Sequence, residues 1–486
     1  MTKKILAMIL ASAMVLSLAG CQENNGGGDS GNNGGGDSSN NGGDSGNNGG
    51  GDSNNGGDDS NGGGSSDGFD YAAAAEEEGV LSIVSWSNNT DVQNMIKIFC
   101  KETGISEDKI VFVPQGDSGG DGSKQIAQYL SGNEDADILT LEADWILRYI
   151  NDDALTAPLS TVNIKESDLA DPYAYTVAIG KNEKGDFMGA SFQAAPGGFC
   201  YNAKLAEEYL GVKTPEEMQA KIKDWDSFKA TAKEVYEASE GKCSLTATEG
   251  GLWQVYQANR TQPWVKDDTL IMDNAEAFYD IAKEMKDNGY MADVAQWDAA
   301  WWASVQDGTA MGDFVSTWGA VATEGTILTN FSGTEESVSY GNMAFCEGPS
   351  SYFWGGTWLG VAKKCNNPKL AEAFIRFFTC DATGMEKYSL ETGDFCNNST
   401  VMKKIVDEGT NKNALLKDGQ DQFAIFLPQA AGIKMDGLIT KYDTDIKDAF
   451  NKSVQDYIAG TLDSKEAAIE QFKNDVAEKF DNLTID

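Results

Sequence analysis

Between Gln22 and Gly68 the chain consists of Gly, Asn, Asp and Ser almost without exception, in variants of "GGGDSGNN". A tract with nothing apolar to bury cannot offset the entropy of ordering itself, so any fold is confined to the residues after Gly68. Its seven aspartates, with no Lys or Arg among them, favour extension. A Gly-rich chain of this length has an r.m.s. span of roughly 40 Å. The tract reads as a tether.

The start of the chain suggests what is tethered to what. "MTKKILAMILASAMVLSLAGCQ" opens with Lys3 and Lys4 and continues with an apolar run, Ile5 to Leu18, that is too short for a permanent bilayer span. It ends in Leu18-Ala19-Gly20-Cys21, which resembles a bacterial lipobox. Residues 1–20 are then expected to be a lipoprotein signal peptide. Residues 21–68 would be the lipidated Cys21 and its disordered tether. No second apolar run reaches bilayer length, so the lipid is the only membrane contact expected.

Roughly 400 residues remain, more than one hydrophobic core usually serves, so at least two lobes are expected. With 76 acidic and 37 basic residues the formal net charge is -39, which argues against nucleic acid and anionic lipid headgroups as partners. The seven cysteines after Cys21 (100, 200, 243, 346, 365, 380 and 396) form no C-x-x-C pair, and the chain has no histidine. Metal-ligand spacing is therefore missing, no cofactor is expected, and buried reduced thiols are the simplest state. "QGDSGGDG", Gln115 to Gly122, imitates a serine hydrolase with Ser118 as nucleophile. That chemistry needs a base poised near neutral pH, normally histidine.

Beyond the tether, "VLSIVS", "KIVFVP" and "ADILTLEAD" read as strands, with Asp91 capping a helix after the first and "SKQIAQYLSGN" a helix after the second. Strand-helix-strand repeats imply a parallel sheet covered by helices, with ligands beyond the carboxyl ends of the strands. Trp86, Asn88, Asn89, Gln115 and Asp144 fall at those ends. Thr214 caps "PEEMQAKI" with Glu217 closing a capping box, and Asn367 caps "PKLAEAFIRFF". In the last helix Ile469, Phe472, Val476 and Phe480 recur at helical spacing.

Several stretches together resemble the carbohydrate-binding lipoproteins of Gram-positive ABC importers, solute-binding proteins of family 1 that are similar to maltose-binding protein. They are "EEGVLSIVSWSNNTD", "DADILTLEADWILRYINDDALTAPLS", "SFQAAPGGFCYNAKLAEEYLG", "NRTQPWVKDDTLIMD", "DGTAMGDFVSTWG" and "GPSSYFWGGTWLGVAKKCNNPKLAEAFIRFF", followed by "TGDF". The likeness runs in order over residues 79–486. It implies an α/β, two-lobed periplasmic-binding-protein-like (class II) fold with hinge strands near Gln193–Gly198 and Glu347–Ser351. Residues 79–195 plus 350–395 would form lobe one, and 198–346 plus 396–486 lobe two.

The implied function is a non-enzymatic, monomeric receptor on the outer face of the cytoplasmic membrane. It captures an oligosaccharide between its lobes and hands it to ABC permease subunits served by a separate ATPase. A surface glycoside hydrolase and a glycan-binding adhesin are the rival readings. Sugars offer C–H patches to flat aromatic faces and hydroxyl rims to carboxylates and amides. Trp318 and Trp354 are the foremost platform candidates, with Trp86, Trp253, Trp301 and Trp358 behind them. Asp144, Gln193 and Asn88 are the polar candidates, with Asp394 and Glu142 weaker. Trp225 is assigned to packing, and Trp297 and Trp302 are left open.

Overall fold

The computed structural model describes residues 68–86, 90–115, 122–132, 135–435 and 437–485. Cys21, the tether, Asn88 and Ser118 lie outside them.

In chain order the strands are β1 (Leu81–Ser85), β2 (Ile110–Pro114), β3 (Ile138–Glu142), β4 (Thr156–Ala157), β5 (Gly189–Ser191) and β6 (Gly197–Asn202). They continue with β7 (Ser244–Thr246), β8 (Val265–Lys266), β9 (Thr269–Leu270), β10 (Ala310–Ser316), β11 (Met343–Cys346) and β12 (Thr357–Ala362). One sheet has the order β2-β1-β3-β12-β4, with β5 also on β12, and a second has the order β11-β6-β10-β7. β8 and β9 form a separate hairpin.

The parallel expectation holds only for β2, β1 and β3 in the first sheet. β12 lies antiparallel to β3, β4 and β5. Every residue of β12 is buried, as are those of β6 and β10. Strands covered on both faces read as continuous apolar runs, so burial left no alternation from which the direction of β12 could be inferred.

The chain leaves the first sheet after Ser191, enters the second at Gly197, and returns between Cys346 and Thr357. These two crossings pair with each other: Pro196 bridges Phe353, and Trp354 N–H donates to Ala195 O at 3.1 Å. Gly197 and Gly198, in the first crossing, have ordinary φ, whereas Gly348, in the second, is left-handed at φ +91°. Gly197 serves a close approach instead, since a Cβ there would lie 2.1 Å from the Tyr352 ring.

Helix starts follow local chemistry with informative exceptions. Thr214 Oγ1 accepts from Glu217 N–H at 3.3 Å, but the Glu217 carboxylate takes Lys213 N–H, one residue outside the expected capping box. Asp91 is not a cap. It sits inside the first turn of helix Thr90–Thr103, with its carboxyl turned toward Asp394. Asn367 commits its amide to Val80 O and Asp137 Oδ2, at 2.9 Å each, rather than to its helix. Helices Asp443–Ile458 and Lys465–Lys479 pack Phe450, Val454, Phe472 and Val476 into the core beside the second sheet. Cys100, Cys200, Cys243, Cys346, Cys380 and Cys396 are buried thiols and Cys365 is half-buried, none of them bonded to another.

Candidate functional site

Three of the tryptophans singled out from the sequence are core. Trp253 packs between Trp264, Phe278 and Phe450, at centroid distances of 6.2, 5.0 and 4.5 Å. Trp358 is buried in β12, where its Nε1–H donates to Thr176 O at 2.8 Å. Trp301 is fully buried, and its Nε1–H donates to Asp313 Oδ2 at 2.8 Å. Spacing could not separate these rings from the rest, because a loop-flanking indole can turn inward or outward depending on what packs beside it.

Trp297, Trp302, Trp318 and Trp354 converge. Trp318 Nε1–H donates to Trp354 O at 2.8 Å, and the two indoles meet edge to face at 5.2 Å. Trp297 lies nearly parallel to Trp318, 15° apart with centroids at 6.1 Å, and is 5.9 Å from Trp354. Trp302 borders Trp297 at 6.1 Å, and Trp301 supports both from below, 5.2 Å from Trp297 and 4.3 Å from Trp302. Trp297 is 54% exposed and holds φ at +71°. A disfavoured backbone region costs a bulky residue about 1–3 kcal/mol and is kept only where packing dictates it. An exposed indole held there is a presented surface.

Asp313 fixes the base of this cluster. Besides Trp301 it accepts from Thr246 Oγ1 at 3.0 Å, Thr248 Oγ1 at 2.7 Å and Phe314 N–H at 2.9 Å. Burial still pushes its carboxyl up to about 6, with these donors opposing the rise.

Trp354 also borders a cavity between the carboxyl end of β3 and the C-terminal helices, with Asp144, Arg260, Trp264 and Lys447 in its wall. Asp144, expected to bond sugar hydroxyls, is 52% exposed on its side chain and paired to Lys447 Nζ, while its carbonyl accepts from Thr444 Oγ1. Glu142 accepts Asp144 N–H at 2.7 Å, and burial, then the Asp144 charge, raises its carboxyl to about 8. The cavity holds about 50 Å³ of water-sized space. Small-molecule sites usually span about 300–1,000 Å³. Outside this cavity, Arg148–Asp445 and Lys441–Glu183, each at 3.0 Å, also link the β3 side to the C-terminal segment.

Gln193 and Asp394 are brought together, but below the surface. Gln193 Nε2 donates to Asp394 Oδ2 at 2.5 Å, Tyr388 OH donates to the same oxygen at 2.7 Å, and both residues are buried. Burial and the Asp394 charge lift the nearby Asp91 carboxyl to about 7. This is packing beside the crossing strands rather than ligand-facing chemistry. Trp86 is half-buried at the end of β1, against Gly122, where a Cβ would lie 2.7 Å from its own. Among the described residues no group of three or more His, Cys, Asp or Glu is placed to hold a metal, and no helix is long and apolar enough to cross a membrane.

Arg260 and Lys447 carry no signal of periodicity. One clue was available for Arg260: the chain has three arginines, at 148, 260 and 376, among 37 basic residues.

Two wide sheets joined by paired crossings, with an aromatic cluster and a cavity where they meet, define a two-lobed binding protein. The chain belongs to the bacterial extracellular solute-binding protein family, whose pattern it matches over residues 94–404. No curated protein matches it. Among solved structures it is similar to an extracellular solute-binding protein of family 1, with TM-score 0.69 and 15% identity over 82% of this chain and 99% of that one. It is also similar to the GacH receptor of Streptomyces glaucescens, solved unliganded and with acarbose (TM-score 0.63, 16% identity, 84% of this chain and 99% of that one). A third is the galacto-N-biose-/lacto-N-biose I-binding protein of the ABC transporter from Bifidobacterium longum, solved with lacto-N-biose (TM-score 0.63, 16% identity, 85% and 100%). At such identities the likeness establishes a shared two-lobed α/β fold.

Proposed function

We propose that the chain is the receptor of an ABC importer, capturing an oligosaccharide between its lobes and delivering it to the permease subunits. The observation that carries this reading is the cluster of Trp297, Trp318 and Trp354, with one indole exposed in a left-handed backbone at the meeting of the two sheets. Flat apolar faces beside Asp144 suit the alternating C–H and hydroxyl surfaces of a sugar. The solved relatives that bind acarbose and lacto-N-biose support the same class. Lobe one is residues 79–195 plus 350–395, lobe two is 198–346 plus 396–486, and the receptor acts as a monomer. The lipobox and tether support anchoring through Cys21 at the outer face of the cytoplasmic membrane.

Tryptophan fluorescence of a tether-free protein titrated with a panel of oligosaccharides tests the reading. Saturable quenching with the sugar recovered intact is expected; shortened products would establish a hydrolase, and binding restricted to insoluble polymer an adhesin. Cys21→Ala is expected to release protein to the medium or leave uncut precursor. Unchanged membrane retention would remove the lipid anchor from the account.

A further inference from the structure

The three arginines differ in how well they are served. Arg376 donates through Nε to Glu372 at 2.9 Å and through Nη2 to Asn163 O at 2.9 Å and Asp168 at 3.1 Å. Arg148 Nη2 lies 3.0 Å from Asp445 as an ion pair without hydrogen-bond alignment, but its side chain is one-third exposed. The Arg260 side chain is 2% exposed, and its Nη2 reaches Asp443 Oδ2 at 3.2 Å. Its Nε and Nη1 are buried and find no hydrogen-bond acceptor among the described residues.

Nearby carboxylates do not make good this deficit. Asp443 is shared, its Oδ1 taking Thr440 N–H at 2.8 Å and Thr440 Oγ1 at 2.6 Å. Asp144 is committed to Lys447. One flank of the guanidinium is covered by the Trp264 ring, 4.8 Å from Cζ to the centroid. A buried charged donor left without an acceptor is costly, and its field is strong because little water screens it. Arg260 forms part of the cavity wall shared with Trp354 and Lys447, and Trp354 in turn meets the exposed Trp297.

We propose that Arg260 is an anion subsite of the cleft and that the ligand is an acidic sugar, carrying a carboxylate or a sulfate ester that Nε and Nη1 of Arg260 bind. This rests on the receptor reading above and names the substrate class of the same cleft. Arginine, rather than the lysine used almost everywhere else in this chain, suits such a group because its planar donors remain charged and fit oxyanions. As the lobes part, the cavity widens and Arg260 becomes reachable. As they close, the oxyanion supplies the missing acceptors, while a tryptophan face takes the neutral ring beside it.

The test is calorimetric titration of the tether-free protein with matched sets of gluco-, galacto- and manno-configured disaccharides. Each set comprises a neutral sugar, its terminal uronate and its sulfate ester. At least one acidic form is expected to bind about tenfold or more tighter than its neutral parent, the scale of one charge-assisted contact. That preference should shrink at high salt and vanish in Arg260→Gln. Whichever acidic form binds identifies the oxyanion. Neutral parents binding as tightly as both acidic forms would overturn the proposal while leaving the receptor reading intact. No binding by any member of a folded protein's panel would overturn both. Should Arg260→Gln fold poorly, the wild-type comparison of neutral and acidic forms at two salt concentrations decides the matter alone.

Discussion

The indole Nε1–H of Trp318 donates to the backbone carbonyl of Trp354 at 2.8 Å, and Gly355 is the residue that makes room for it. Gly355 has φ +74°, and a Cβ there would stand 2.9 Å from that same nitrogen. Gly355 thus lets an indole from another loop reach the backbone. Gly355→Ala meets both a strained φ and a steric clash. It is expected to destabilise the fold by more than about 1 kcal/mol and to weaken sugar binding, read by thermal melting and titration. An alanine variant with wild-type melting and affinity would show that the contact is dispensable.

Alanine variants of the tryptophans should fall into two groups. Trp297→Ala and Trp318→Ala are expected to cost about 1–3 kcal/mol of ligand binding with modest effects on melting, as exposed or half-buried contact residues do. Trp253→Ala and Trp358→Ala remove fully buried rings and are expected to lose about 3–5 kcal/mol of stability. Chemical denaturation alongside calorimetry separates the groups. If Trp297→Ala loses stability and not affinity, the exposed indole is structural.

A cavity of about 50 Å³ bounded by ion pairs between β3-side residues and the C-terminal helices requires opening before a sugar can enter. Arg148–Asp445 and Lys441–Glu183 tie the same C-terminal segment to the β3 side beyond the cavity, each partly exposed, so each contributes less than about 1 kcal/mol. The double variant Arg148→Ala/Lys441→Ala should shift unliganded protein a few-fold toward the open form. Small-angle scattering should show a larger radius of gyration without ligand and an unchanged one at saturation. Equal scattering with and without sugar in the wild type would exclude closure of the lobes.

Several buried carboxyls besides Asp313 tie stability to pH. Glu142 is raised from 4.5 to about 8 by burial and Asp144, Asp91 from 3.8 to about 7 by burial and Asp394, and Glu249 from 4.5 to about 7 by burial and, more weakly, Asp293. The folded chain therefore retains protons that the unfolded chain has already released. Stability is greatest below the unfolded values and declines as pH rises from about 4 to about 8. Melting temperature should fall across that window, and Glu142→Gln or Asp91→Asn should flatten the slope because an amide does not titrate. An unaltered slope in both variants would show that these carboxyls ionise freely.

The sequence by itself determined what depends on neighbours along the chain. The opening strand-helix-strand run and the Thr214 cap follow from local hydrogen bonding and periodicity, which act within a few residues. The ordered family-like stretches extended this to a two-lobed receptor. Tertiary structure alone decided which tryptophans are core and which cluster, that β12 runs antiparallel to β3, and that Asp91 faces Asp394 instead of capping its helix. It also decided that Asp144 meets Lys447, 303 positions away, and Arg260 meets Asp443, 183 away. An indole or a carboxylate takes its role from the dielectric and the partners around it, and here those partners come from segments whose proximity is set only when the two sheets pack.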